Sequence, residues 1–181
     1  MTSIQFLDSS NFSKAKDGSL LCSIPKYALV LFWSTNCPHC TQVKEIIQGM
    51  NNNMNGCTFG MCNLDENKEC IDMIVSSGIE MSYVPFIVFF ANQKPYMVYS
   101  GPPREDTMIK FIVEVSNAYR EEVQSRKGTQ RLTDGSTETR TPIKKIEQSC
   151  KIDDKQCIEN ARVDKGSCYL PMREAYANNR K

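Results

Sequence analysis

A continuous apolar run, Tyr27-Ala28-Leu29-Val30-Leu31-Phe32-Trp33, feeds directly into Ser34-Thr35-Asn36-Cys37-Pro38-His39-Cys40. The run is apolar throughout and rich in strand formers, three of them aromatic, with no polar alternation, the pattern of a central strand covered on both faces. From Cys37 onward, Cys40, Val43, Ile46 and Ile47 recur at helical spacing, with Lys44, Glu45 and Gln48 between them, until Gly49 and the Asn51-Asn52-Asn53 cluster. The spacing therefore predicts a buried strand, a tight turn carrying two cysteines, and a helix that starts at the first of them.

Two cysteines three apart at the start of a helix lie on one face, about one turn from each other and close enough to be bridged. Cys37 would sit where unpaired backbone N–H groups and the positive end of the helix dipole converge, which favours its thiolate and makes it the nucleophile. Cys40, one turn inside, would be shielded and would resolve the mixed disulfide formed at Cys37. Pro38 suits the first helical position, where its missing N–H is no loss. His39 is the only histidine in the chain and is placed to lower the Cys37 pKa through a hydrogen bond or positive charge. This chemistry requires two sulfurs in bridging reach, a first sulfur that solvent can approach, and no metal between them. A zinc site is the competing use of such a pair, but no second Cys-x-x-Cys accompanies it.

The remaining pattern gives an α/β order of βαβαβαββα. Ile4 to Leu7 alternates as a short strand, and Asp8-Ser9-Ser10-Asn11 offers N-caps for a first helix to about Lys16, closed by Asp17-Gly18. Cys57 to Leu64 reads as a strand, Lys68 to Ser76 as a helix ending at Gly78, and Phe86–Phe90 with Tyr96–Tyr99 as a hairpin turning at Asn92-Gln93-Lys94. After Gly101-Pro102-Pro103, a last helix spans Glu105 to Tyr119, with Met108, Ile109, Ile112, Val113, Val115 and Ser116 near one side. Residues 1–119 form the expected domain. Residues 120–181 are polar, carry charges of both signs, and read as a solvated extension whose short apolar patch is Cys168-Tyr169-Leu170-Pro171-Met172.

Composition excludes some partners. Lys and Arg number 22 against 21 Asp and Glu, for a net charge of +1, so no global field draws the chain to nucleic acid or an anionic membrane. The first ten residues lack a basic and then apolar leader, and no stretch approaches a membrane span; the expectation is a soluble, unexported, cytoplasmic monomer. Nine cysteines is an odd number, which argues against a closed disulfide framework. Cys57, Cys62 and Cys70 are expected to be buried structural thiols.

Phe32-Trp33 leading into Cys37-Pro38-His39-Cys40, Val84-Pro85 before the last hairpin and Gly101 after it together resemble the thioredoxin family, over about residues 1–119. The resemblance implies a thioredoxin fold: a central mixed sheet flanked by helices, here followed by the polar C-terminal extension. It implies a thiol-disulfide oxidoreductase with no cofactor and no metal, acting on protein cysteines and recycled by a redox partner. It also implies that Pro85 is a cis proline facing the active-site sulfurs, that Val84 pairs its backbone with an extended substrate segment, and that Trp33 and Gly101 form the groove. A polar tail on an unexported domain resembles, in composition only, redox proteins of large DNA viruses, which adds the virion as a setting.

Two departures from the family pattern bear on the chemistry. Thioredoxins carry Gly-Pro between the cysteines, whereas Pro38-His39 is the dipeptide of the bacterial oxidant DsbA, whose potential is about −120 mV against about −270 mV for thioredoxin. An intermediate, more oxidising pair is expected here. Leu31 stands where thioredoxins place a buried aspartate that takes the proton of the resolving thiol, so proton transfer from Cys40 is expected to be slower. That loss motivates a second reading, a redox-inactive binding scaffold. A glutaredoxin-like use of glutathione fits less well, because Phe86 to Phe90 continues as a strand where a Gly-Gly-Asp-type turn would follow the proline.

Overall fold

The computed structural model describes residues 3–129 and 170–171. β1 (Gln5–Leu7), β4 (Tyr27–Trp33), β5 (Thr58–Asn63), β7 (Phe86–Ala91) and β8 (Lys94–Tyr99) form a five-stranded sheet in the order β1-β5-β4-β7-β8. β1 and β4 run parallel to β5, while β7 is antiparallel to both β4 and β8, so the sheet is mixed. The apolar run from Tyr27 is its central strand, with Leu31 opposite Met61 on one side and Ile87 on the other.

Alternation along β4 divides the core. Ala28, Val30 and Phe32 face a cluster with Phe12, Leu20, Cys62, Cys70 and Ile74. Leu29 and Leu31 face the other cluster, with Val43 and Ile47 of α1 (Pro38–Asn53) and Met108, Phe111, Ile112 and Val115 of α3 (Glu105–Thr129). Leu31 is fully buried there, a setting that suits an aliphatic side chain and would penalise an unpaired carboxylate.

The expected first helix is replaced. Asp8 accepts the Ser10 N–H at 2.8 Å and Asn11 Oδ1 accepts the Asp8 N–H at 2.9 Å, a reciprocal cap. It starts only a single 3₁₀ turn, Ser9–Asn11, before Phe12 goes extended. The chain continues as a hairpin of β2 (Phe12–Lys14) and β3 (Leu20–Cys22), with Phe12 opposite Cys22. Phe12, Leu20 and Cys22 are buried while Ser13 and Lys14 are exposed. Along β3, Leu20 and Cys22 are buried on either side of half-buried Leu21, which is strand alternation, and burying Phe12 on the sheet outweighs continuing a helix with little apolar face. Gly18, at φ +82°, turns the hairpin in a conformation that other residues adopt at a cost.

The helix α2 (Lys68–Ser76) and the β7–β8 hairpin stand where their patterns put them, the hairpin turning through Asn92 and Gln93 at φ 48° and 70°. α3 runs ten residues beyond Tyr119. Its extra turns are held by an Arg126–Glu122 pair at 2.8 Å and by Tyr96, whose hydroxyl donates to Glu122 Oε2 at 3.0 Å. Its apolar side is corrected as well: Phe111 is buried, whereas Val113 is 46 % exposed. The apolar patch around Leu170 lies outside the described residues except for β9 (Leu170–Pro171), which pairs antiparallel with β6 (Tyr83–Val84). Cys150, Cys157 and Cys168 also lie outside them.

Candidate active site

β4 ends at Trp33, and the chain turns once before α1. The turn is fastened by Asp65, at the C-terminal end of β5. Its carboxylate accepts the Ser34 hydroxyl at 2.9 Å, the Thr35 N–H at 2.6 Å and the Thr35 hydroxyl. Ser34 is buried, so this acceptor also satisfies a hydroxyl that would otherwise lose its water without replacement. Asp65 was not foreseen from the sequence; it is a positioning residue for the turn that delivers Cys37.

Cys37 is the N-cap of α1, with Pro38 at the first helical position. Its sulfur accepts the Cys40 N–H at 3.2 Å, one of the orphan donors of the helix start. Cys37 and Cys40 are joined Sγ to Sγ as a disulfide, their Cα atoms 5.3 Å apart. Electron density drawn toward that helix end favours a thiolate at Cys37 when the bond opens. Among the described residues no group of three or more His, Cys, Asp or Glu is arranged to hold a metal.

The other expected residues divide. The Val84–Pro85 peptide is cis, and Val84 lies against the pair, its carbonyl oxygen 3.7 Å from Cys37 Sγ. Pro85 and Gly101 line one small cleft with Val43, Tyr83 and Tyr99. Gly101 is there for space: a Cβ would stand 2.7 Å from the Tyr99 hydroxyl, which itself donates to the Pro102 carbonyl at 2.6 Å. Trp33 is half-buried, with Lys44 Nζ 3.6 Å above its ring. Pro38 is exposed and His39 half-buried. Solvent access to the expected nucleophile departs from expectation: Cys37 is only 1 % exposed, scarcely more than Cys40. A broad concavity lined by Asp17, Lys94, Tyr96, Tyr119, Glu122 and Arg126 lies toward the Ala91 end of β7, away from the sulfurs.

The remaining described cysteines, Cys22, Cys57, Cys62 and Cys70, are free and buried. The fold brings Cys62 of β5 and Cys70 of α2 together, Sγ to Sγ 3.7 Å, which no sequence spacing announced. Sharing a proton with Cys70 in an apolar setting pushes the Cys62 thiol up and Cys70 down. Cys57 is pushed up to about 12 by burial, from an ordinary value of 9.0. At pH 8 its thiolate is scarce, so brief iodoacetamide treatment of the reduced native protein is expected to leave Cys57 unmodified on peptide mapping. The native state keeps that proton where the unfolded chain gives it up, so this contribution is whole below pH 9 and fades as pH rises from about 9 to 12. Prompt native labelling of Cys57 would refute the assignment.

A mixed sheet, a Cys-x-x-Cys disulfide capping a helix and a cis proline beside it define a thioredoxin-like domain. The Thioredoxin family model matches residues 8–114, and the chain belongs to that family. It is 28% identical over 90 residues to Uncharacterized protein 196R of Invertebrate iridescent virus 6, covering 50% of this chain and 52% of that one. It is 31% identical over 88 residues to Uncharacterized protein 020R of Invertebrate iridescent virus 3, covering 48% and 51%. The chain thus spans about half the length of the curated relatives it matches. Among solved structures it is similar to a thioredoxin of Malassezia sympodialis, with 18% identity, a TM-score of 0.47, and 64% of this chain and 93% of the other covered.

Proposed function

We propose that the protein is a dithiol-disulfide oxidoreductase acting on protein cysteines through Cys37-Pro38-His39-Cys40, and that it is a stronger oxidant than thioredoxin. The observation that carries the reading is the Cys37–Cys40 disulfide at the N-terminus of α1, its outer sulfur against the Val84 carbonyl. A substrate thiolate attacks Cys37 Sγ; the Cys37–Cys40 bond breaks, a mixed disulfide forms, and Cys40 leaves as thiolate. A second substrate thiol then attacks its partner sulfur and expels Cys37, a good leaving group because the helix end stabilises its charge. Two electrons and two protons pass from substrate to protein, and a redox-recycling partner must take them on. The setting proposed with it is the cytoplasm, or the virion for a viral chain.

The test is the reduction potential of the pair in glutathione buffers, with Pro38→Gly and His39→Pro alongside. A value above the roughly −270 mV of thioredoxin is expected, and each variant is expected to lower it. A thioredoxin-like value unmoved by both would discard the oxidant reading. The scaffold reading draws on one observation, the burial of Cys37, and is separated by the variants argued in the Discussion.

A further inference from the structure

β6 lies beside the sulfurs and outside the main sheet, and its backbone is already paired. Tyr83 stands opposite Pro171 and Val84 opposite Leu170, antiparallel. Val84 is the residue whose carbonyl lies 3.7 Å from Cys37 Sγ, so the pairing is one residue from the nucleophile. Short unpaired edges are templates for strand addition, and an extended cysteine-bearing segment of a substrate would use this one. In this chain residues 170–171 hold it instead. Independently, Cys37 is 1 % exposed, although its proposed role requires that a substrate sulfur reach it.

We propose that Leu170–Pro171 is an autoinhibitory strand: the chain's own C-terminal segment occupies the peptide edge at Tyr83–Val84, and a substrate segment must displace it to reach Cys37. The proposal rests on the oxidoreductase reading for its biological sense, not for its test. Its chemistry suits displacement. Pro171 has no N–H to offer the ladder, which keeps the hold of these two residues weak. Because residues 130–169 join the strand covalently to α3, the pairing is intramolecular and independent of protein concentration.

Full-length protein is compared with Leu170→Pro, which removes a backbone N–H and disfavours the paired geometry, and with Leu170→Ala, which leaves the backbone able to pair. The readouts are amide hydrogen exchange of the Tyr83–Val84 segment and the rate at which the reduced protein's Cys37 is alkylated by iodoacetamide. In Leu170→Pro both are expected to rise about fivefold, the ratio set by loss of a single backbone hydrogen bond. Leu170→Ala is expected to stay near wild type. Equal exchange and alkylation in wild type and Leu170→Pro would overturn the proposal. So would protection that strengthens with protein concentration, which would make the occupant a second copy. Neither readout needs turnover, so a catalytically inert protein would still show the cap, and an uncapped one would still be tested for activity.

Discussion

Cys37→Ser is expected to reduce insulin reduction and disulfide transfer to the uncatalysed background, a loss of roughly 10³-fold or more, because it removes the sulfur that every step passes through. Cys40→Ser is expected to behave differently. In the reducing direction its Cys37 thiolate still attacks a substrate disulfide, but no internal thiol remains to release the product, so a mixed disulfide accumulates and appears on a non-reducing gel as a shift that dithiothreitol reverses. The asymmetry is the informative part. Cys37 caps α1 and its sulfur receives the Cys40 N–H, whereas Cys40 lies one turn inside the helix. If both variants lost activity equally and neither trapped substrate, the two sulfurs would not have distinct roles. If Cys37→Ser retained full activity, the exchange chemistry would lie elsewhere and this domain would be a scaffold. A serine in place of either cysteine also prevents the disulfide, so each variant is compared with the reduced wild type in insulin reduction and with the oxidised wild type in disulfide transfer.

The placement of the two sulfurs was legible because it follows from local rules: a sulfur before a helix, a proline at its first position, and a second sulfur one turn on. The central strand was legible for the same reason, since an unbroken apolar run has few other places to go. What escaped the sequence depended on distant partners. Asp8 and Asn11 form a cap that is the same for one turn as for a helix, and the outcome was decided by Phe12 pairing with Cys22 across a hairpin. Asp65 reaches Thr35 from thirty residues along the chain, and no spacing marks a carboxylate for that task. The end of α3 read as solvated tail because its residues are polar, yet polar residues at i,i+4 spacing, such as Glu122 and Arg126, can sustain a helix on a surface. Gly101 was expected at a groove on family likeness, and the reason for a glycine, the Tyr99 ring and hydroxyl standing where a Cβ would go, lies in tertiary packing.

The largest effect on stability is expected at Phe32, one residue before the end of β4. Its side chain is fully buried, with ring centroids 5.5 Å from Phe12 and 6.4 Å from Phe86, in the cluster that also holds Cys37 and Cys40. Phe32→Ala removes the ring that joins the N-terminal hairpin to the sheet, and the strands around it are tied by ladders on both sides and cannot collapse into the space. Such truncations cost about 3–5 kcal/mol, a large share of the roughly 5–15 kcal/mol that holds a domain of this kind together. Urea unfolding of the oxidised protein is expected to show the midpoint lowered by about 1–3 M for a slope of about 1.5–3 kcal/mol per M. Val113→Ala supplies the contrast: Val113 is 46 % exposed on α3, and surface changes of this type stay within about 0.5 kcal/mol. Because Phe32 touches the cluster under the cysteines but offers no group to the exchange, its variant, measured where it is still folded, should keep the potential of the Cys37–Cys40 pair close to wild type. A Phe32→Ala midpoint no lower than that of Val113→Ala would mean that the hairpin is not anchored on β4 and that this half of the core has been wrongly drawn.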